Sequence, residues 1–215
     1  MTFHPIRANA DTIDLTPSKR WLIPALFSLI AGCAATPPVT DAALALEWEA
    51  RRVKLSAMQD WHLKGRIAFQ LDREAWSAIL HWQQRRHEYV LRLIAPLGRG
   101  TIELTGSDSG VSLRTADNRL LQADDPEALL RENLGWDLPV SGLFYWIRGL
   151  PEPDSPADAL LLDDEGRIHD LRQNGWQVSY QRYDTASGYD LPGKMTLQNE
   201  RLKVRLAISD WVVSS

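Results

Sequence analysis

Histidine is the residue type in this sequence best suited to bind a metal ion or to move a proton near neutral pH. The chain has five histidines, at positions 4, 62, 81, 87 and 169. Their spacing forms neither an HExxH motif nor a close group with cysteine, so it does not favour a metal site. His62 and His81 fall at the polar positions of alternating segments, where a solvent-facing side chain is expected. We therefore predict no metal site and interpret the histidines as surface or packing residues.

Two short segments share part of the pattern of a catalytic or calcium-binding motif. Residues 106–110, Gly-Ser-Asp-Ser-Gly, have aspartate where a nucleophile elbow has serine, and the flanking pattern is strand–turn–strand. Residues 163–166, Asp-Asp-Glu-Gly, lack the alternating ligands and the terminal glutamate of an EF-hand loop. Both segments are predicted to be turns, and the sequence predicts no catalytic residue.

The composition favours a packed globular protein that does not bind nucleic acid. The 215 residues are 44% hydrophobic and 24% charged, which is typical of one folded domain. The net charge is −4 and the 24 basic residues form no cluster, so the positive surface that attracts nucleic acids or anionic lipids is not expected. Attachment to a membrane would then depend on acyl chains and apolar side chains.

The single cysteine, Cys33, follows a segment with the order of a signal peptide. Lys19 and Arg20 precede an apolar run, residues 21–32, whose helical length of about 18 Å is too short for a hydrocarbon core of about 30 Å. The run ends in Leu-Ile-Ala-Gly-Cys, which resembles the lipobox of bacterial lipoproteins. The resemblance implies cleavage before Cys33 and a covalent lipid, S-diacylglycerol and N-acyl, on that cysteine. No cofactor besides this lipid is expected.

The chain is accordingly predicted to have three parts. Residues 1–32 form a lipoprotein signal peptide that is cleaved. Residues 33–40, which are small and rich in proline, form the lipidated N-terminus and a tether. Residues 41–215 form the folded domain.

The folded domain has the pattern of a mainly β (α+β) protein. Helical periodicity predicts three helices, over residues 41–59, 127–134 and 141–147. Strand-like alternation fills most of the remainder and predicts roughly nine to eleven strands, with a bend or bulge at Gly65 and a hairpin turn at Asn174-Gly175. Because so many sequential antiparallel strands must hide their edges, we expect a curled sheet covered by a helical lid.

A leucine stands at the tip of a predicted turn between two strands. Residues 94–100 read Ile-Ala-Pro-Leu-Gly-Arg-Gly, and Leu97 is the central residue. Exposing a leucine forgoes about 1.5–3 kcal/mol of burial, so the side chain either packs against the body or enters an apolar medium such as a bilayer. The pattern alone favours packing against the body.

Several short segments, taken in order, resemble the LolB family of outer-membrane lipoprotein receptors over roughly residues 43–212. These segments are Pro96-Leu97-Gly98, Ala123-Asp124-Asp125, Trp146-Ile147-Arg148-Gly149-Leu150-Pro151, Asn174-Gly175-Trp176 with Tyr180 and Tyr183, and Trp211. The resemblance implies an unclosed antiparallel β-barrel with a helical lid over an apolar cavity. It also implies that Leu97, flanked by Pro96 and Gly98, protrudes and helps to insert the lipid of a cargo protein into the outer membrane.

The implied function is transfer of lipoproteins without catalysis. The expected partners are a LolA-like periplasmic carrier, triacylated lipoprotein cargo and outer-membrane lipid, and the protein is expected to be a monomer that faces the periplasm of a Gram-negative bacterium. Apolar residues of one strand face and of the lid are expected to line the cavity for acyl chains: Leu63, Ile67, Phe69, Trp76, Leu91, Leu93, Leu143, Trp146 and Ile147. Apolar alternation alone would equally fit a packed core.

Two other functions remain open at the level of the sequence. One is a structural or chaperone-like envelope lipoprotein that binds protein partners and holds no lipid. The other, more distant, is an esterase with an unrecognised triad. Binding of acyl chains would exclude the first, and turnover of an ester substrate would support the second.

Overall fold

The structure is a computed structural model that describes residues 41–98 and 100–214. The predicted signal peptide, the predicted lipidation site Cys33 and the tether lie outside these residues. Within the described chain, eleven strands form one antiparallel sheet. The strands are β1 (Asp60–Leu71), β2 (Glu74–Arg85), β3 (Glu88–Ile94), β4 (Thr101–Ser107), β5 (Gly110–Arg114), β6 (Leu120–Ala123), β7 (Ala159–Leu162), β8 (Ile168–Gln173), β9 (Trp176–Ala186), β10 (Tyr189–Gln198) and β11 (Leu202–Ser214).

The two edges of the sheet are formed by strands that follow one another in the middle of the sequence. The strand order is β6-β5-β4-β3-β2-β1-β11-β10-β9-β8-β7, so β1 pairs with β11 while β6 and β7 are the two edges. The chain between these edges carries two of the helices. The sheet is not closed, and the predicted unclosed antiparallel architecture with a helical lid is confirmed.

The predicted strand pattern and its irregularities are confirmed by the register. Buried and exposed positions alternate along β1, and its pairing with β11 shifts between Lys64 and Gly65, where a bulge or bend is predicted, because Ser209 of β11 has no paired residue there. At the predicted hairpin, Asn174 and Gly175 both have positive φ, 53° and 76°, as a type I′ turn requires. These turns fix which face of each strand points inward.

The three helices lie close to their predicted positions: α1 (Asp41–Ser56), α2 (Pro126–Leu134) and α3 (Val140–Trp146). The Asp125 carboxylate accepts a hydrogen bond from the backbone N–H of Glu127 at 2.9 Å, which caps α2, and Gly135 ends α2 in a left-handed conformation. The first helix ends three residues earlier than predicted, because the chain turns there to enter β1. None of the helices in the described part of the chain is long and apolar enough to cross a membrane.

The core lies between the inner face of the sheet and the two lid helices. Strand residues such as Trp82, Leu104 and Val204 are buried in the same cluster as Leu130 of α2 and Trp146 of α3. Burial of this apolar surface is the main stabilising contribution to the fold. The lid therefore rests directly on the sheet in this structure.

Candidate functional site

The loop that contains Leu97 presents its leucine to solvent. Ile94 and Thr101 are paired at the ends of β3 and β4, and the backbone N–H of Ala95 donates to the carbonyl oxygen of Gly100 at 3.1 Å, which closes the loop. Leu97 has φ 59° and ψ 31°, a left-handed conformation, and its side chain is 94% exposed. The interpretation that Leu97 packs against the body is therefore wrong.

Leu97 combines two features that are unfavourable for stability. A left-handed conformation of a residue other than glycine costs roughly 1–3 kcal/mol, and exposure of the leucine forgoes about 1.5–3 kcal/mol of burial. The flanking Pro96 is exposed as well, and Gly98 ends the short 3₁₀ turn Pro96–Gly98. Because residues in strained backbone conformations cluster at functional sites, this loop is a candidate for contact with a partner surface.

The residues predicted to line an acyl-chain cavity are brought together in the core. Eight of them are buried, with at most 5% exposed: Leu63, Ile67, Phe69, Leu91, Leu93, Leu143, Trp146 and Ile147. The ninth, Trp76, is half-buried against the same cluster. Their side chains belong to one packed cluster of the sheet and the lid, and the acyl-binding role of these residues stays a prediction.

A stack of three aromatic rings closes one end of the interior. The rings of Phe69 and Trp76 lie 3.9 Å apart at an angle of 18°, and Trp136 stacks on Trp76 at 4.4 Å. Trp136 lies in the connection between α2 and α3, so the lid meets the sheet here through ring faces. The adjoining cavity is small, about 40 Å³. The sequence analysis missed Trp136, although a tryptophan between two helices was a possible signal.

The C-terminal end of α3 is attached to the β8–β9 hairpin by buried hydrogen bonds. The indole N–H of Trp146 donates to the amide oxygen of Gln173 at 2.8 Å, and the Tyr180 hydroxyl donates to the carbonyl oxygen of Trp146 at 2.7 Å. The Gln173 amide group also donates to the carbonyl oxygen of Glu152 at 2.9 Å, in the segment after α3. These bonds fix this half of the lid to the sheet.

A buried arginine joins the lid to α1. Arg148 is 3% exposed, and its guanidinium donates to the carbonyl oxygens of Leu55 at 3.4 Å and Met58 at 3.2 Å. It also lies 4.3 Å from the ring centroid of Phe144. Burial lowers the pKa of Arg148 to about 10, which leaves the group charged at neutral pH. The cation thereby satisfies carbonyl groups at the C-terminal end of α1, where positive charge is favourable.

Four residues with polar side-chain atoms form a cluster at the end of the interior opposite the aromatic stack. We name this group the rim cluster: Trp61, Trp82, Gln84 and Tyr89. Among the described residues, the indole nitrogens of both tryptophans, the amide oxygen of Gln84 and the Tyr89 hydroxyl are buried without a hydrogen-bond partner. Each such atom costs roughly 1–3 kcal/mol. Native proteins contain few of them, so four in one place need an explanation.

The rim cluster lies next to a large polar pocket. Trp61 and Gln84 line this pocket, which has a volume of about 930 Å³. The rest of its lining comes from the adjacent turns and strand ends: Asp60, His62, Gln83, Arg85, Arg86, His87, Glu88, Ser107, Asp108, Ser109 and Ser214. Burial raises the pKa of Tyr89, and the charge of Glu127 on α2 raises it further. The hydroxyl of Tyr89 therefore stays protonated and able to donate at neutral pH.

The segments with partial chemical motifs are turns, as predicted. Residues 108 and 109 form the turn between β4 and β5, flanked by strand residues 106–107 and 110, and residues 163–166 lie between β7 and β8. His87 and Asp108 lie 3.7 Å apart as an exposed pair on adjacent turns. Over residues 41–98 and 100–214, no three side chains of His, Cys, Asp or Glu are grouped as metal ligands.

The sequence of this chain is similar to those of proteins in one family. The family model described as outer membrane lipoprotein LolB matches residues 59–211. A protein of Pseudomonas putida named outer-membrane lipoprotein LolB is 41% identical over 189 residues, which cover 86% of this chain and 92% of that protein. A protein of the same name from Pseudomonas aeruginosa is 41% identical over 198 residues, 90% of this chain and 95% of that protein.

A solved structure of a LolA superfamily protein from Nitrosomonas europaea is 8% identical to this chain, with a TM-score of 0.49, and the match covers 82% of this chain and 94% of that protein. The family match and the two relatives span the unclosed sheet, the lid and the loop with Leu97. This chain therefore belongs to the LolB family of outer-membrane lipoproteins.

Proposed function

We propose that this protein is anchored by lipid on Cys33 to the periplasmic face of the outer membrane. There it accepts triacylated lipoproteins from a LolA-like carrier and inserts their acyl chains into the membrane. The observation that carries this proposal is Leu97, an almost fully exposed leucine in a left-handed conformation. Such a side chain regains its burial energy only when it enters an apolar medium.

The acyl chains would be held between the sheet and the lid after the lid opens. The end of α3 is held by the hydrogen bonds of Trp146 and Tyr180, whereas the connection between α2 and α3 meets the sheet through the stacked ring of Trp136. Separating stacked rings in the presence of acyl chains exchanges one apolar contact for another. We therefore place the opening at Trp136 and α2, with Phe69 and Trp76 exposed to the incoming chains.

Transfer of this kind needs no covalent chemistry. Each acyl CH₂ group that is buried contributes about 0.8 kcal/mol, so cargo moves towards the site that buries its chains best. A bilayer surrounds every methylene group, whereas the interior of a single domain surrounds only part of each chain. Cargo would thus pass from carrier to receptor to membrane down a free-energy gradient without ATP at this step.

The test is cross-linking in living cells from a photoreactive phenylalanine analogue placed at Trp76. This half-buried position already holds an aromatic side chain, and it would contact acyl chains under the lid. We expect a cross-link to a triacylated lipoprotein and none to the same cargo with its acylated cysteine changed to serine. The matched control carries the analogue at Gln181, which is exposed on β9.

The two possible outcomes separate the proposed function from the alternative. A cross-link at Trp76 that depends on acylation supports a receptor that holds lipid. Cross-links to both forms of the cargo, or at Gln181 alone, would instead support an envelope lipoprotein that binds protein partners.

A further inference from the structure

The rim cluster presents hydrogen-bonding groups that acyl hydrocarbon cannot satisfy. Trp61, Trp82 and Gln84 are at most 3% exposed, and their atoms without partners are two indole N–H groups and one amide oxygen. The Tyr89 hydroxyl adds a third donor. Within the described chain, the cluster therefore has three donors and one acceptor that form no hydrogen bond.

We propose that the rim cluster binds the acyl carbonyl groups and the amide N–H group at the triacylated cysteine of the cargo. This inference rests on the proposed function and specifies which part of the ligand is recognised. A diacylglyceryl group has two ester carbonyls, and the N-acyl group adds an amide carbonyl and an amide N–H. The three carbonyls accept from the indoles and the hydroxyl, and the N–H donates to Gln84.

The four side chains lie close enough together to bind one such group. Trp61 and Gln84 are partners across β1 and β2, and Gln84 pairs with Tyr89 across β2 and β3. The rings of Trp61 and Trp82 are 5.5 Å apart, and those of Trp82 and Tyr89 are 6.3 Å apart. The carbonyls of a diacylglyceryl cysteine are separated by only a few bonds, so they fit within this span.

The position of the rim cluster would also orient the cargo. The polar pocket of about 930 Å³ lies beside it and suits the cargo polypeptide, which must remain in water. Phe69, at the other end of the interior, is eight residues from Trp61 along β1, or roughly 26 Å at 3.3 Å per residue. The acyl chains would run from the cluster along the interior towards the end of the sheet that carries Leu97.

The test compares two lipopeptides with the same peptide and the same chain lengths. One is the natural triacylated form, and in the other ether linkages replace the two esters. Each competes with a fluorescent triacylated lipopeptide for the purified full-length protein in one mild detergent. Because the ether form lacks two carbonyl acceptors, we expect the ester form to bind about tenfold more tightly.

Two variants test whether the rim cluster causes the preference for the ester lipopeptide. Trp82→Phe removes one donor and is expected to reduce the preference to about threefold. Trp211→Phe is the matched control, since its indole lies 5.4 Å from that of Trp61 but already donates to the carbonyl oxygen of Pro192 at 3.0 Å. The control is expected to keep the full preference, and circular dichroism verifies that both variants are folded.

Three results would overturn the inference. Equal binding of the ester and ether forms by the native protein would show that the carbonyls are not recognised, while the proposed function would stand. A preference that persists in Trp61→Phe and Trp82→Phe alike would place recognition elsewhere. Failure of both lipopeptides to bind would overturn this inference and the proposed function together.

Discussion

The indole N–H of Trp146 and the amide oxygen of Gln173 form a hydrogen bond of 2.8 Å between two completely buried side chains. The same oxygen also accepts from the backbone N–H of Glu152 at 2.9 Å, and the amide nitrogen donates to the backbone carbonyl oxygens of Glu152 and Ser155. One glutamine thus satisfies four groups of the lid and of the segment that follows it. In the proposed opening, it would keep this half of the lid in place.

The first prediction concerns this glutamine. Gln173→Leu leaves several buried polar groups without partners, so it should lower the free energy of unfolding by about 2–4 kcal/mol. Chemical denaturation followed by tryptophan fluorescence measures this loss. Gln181→Ala, at an exposed position of β9, should change the free energy of unfolding by less than about 0.5 kcal/mol. Equal stability of the two variants would show that the Gln173 bonds do not hold the lid.

The second prediction concerns the buried arginine. Arg148→Met keeps much of the side-chain volume but leaves the carbonyl groups of Leu55 and Met58 without their donor, so we expect a loss of about 2–4 kcal/mol in stability. Amide hydrogen exchange should also become faster at the end of α1. Arg92→Met is the control, because Arg92 forms an exposed ion pair with Glu103 worth at most about 1 kcal/mol. Unchanged amide hydrogen exchange in α1 would argue against the link between Arg148 and the end of this helix.

The third prediction concerns a glycine beside the rim cluster. A Cβ atom added to Gly106 would overlap the ring atoms Cε1 and Cζ of Tyr89, so the ring must lie directly on the glycine backbone. Gly106→Ala should therefore destabilise the protein by about 1–3 kcal/mol. Combining it with Tyr89→Ala should recover part of this loss in a double-mutant cycle. If the losses of stability from Gly106→Ala and Tyr89→Ala were strictly additive, this would contradict the contact between Tyr89 and Gly106.

The fourth prediction concerns the pH dependence of stability. Burial raises the pKa of Glu127 above its ordinary value of 4.5. Between the ordinary pKa of 4.5 and the raised pKa of the folded protein, the folded state binds more protons than the unfolded state. The contribution of Glu127 to stability therefore falls as the pH rises from about 4.5. Glu127→Gln should flatten this part of the curve in urea denaturation at a series of pH values. A curve of unchanged shape would contradict the assignment.

Much of the fold could be predicted from local patterns. Alternation and turn residues predicted the strands, the bulge at Gly65 and the hairpin at Asn174-Gly175, since each depends on a few neighbouring residues. The order of strands and helices predicted the lid. The predicted end of the first helix was wrong by three residues, because the chain already turns after Ser56 to enter β1.

The candidate site was less predictable because it depends on contacts across the fold. The pattern around Leu97 favoured packing, and only the resemblance to a family indicated that the side chain protrudes. Trp61 and Trp82 alternate with the polar His62 and His81, which fits an inward-facing position, but this alternation does not show that their indole N–H groups lack partners. The stacking of Trp136 on Trp76 likewise requires the lid and the sheet to be placed together.

The central claim concerns transfer, and its test follows a triacylated lipoprotein from a soluble LolA-like carrier into liposomes that contain the full-length protein. Native protein is compared with Leu97→Glu, whose free energy of unfolding should differ by less than about 0.5 kcal/mol because the side chain is exposed. We predict that both proteins remove cargo from the carrier. The variant should deliver it to the bilayer about tenfold more slowly or worse, since insertion of a leucine contributes about 1.5–3 kcal/mol. Equal delivery by the two proteins, or no movement of cargo with the native protein, would contradict the account.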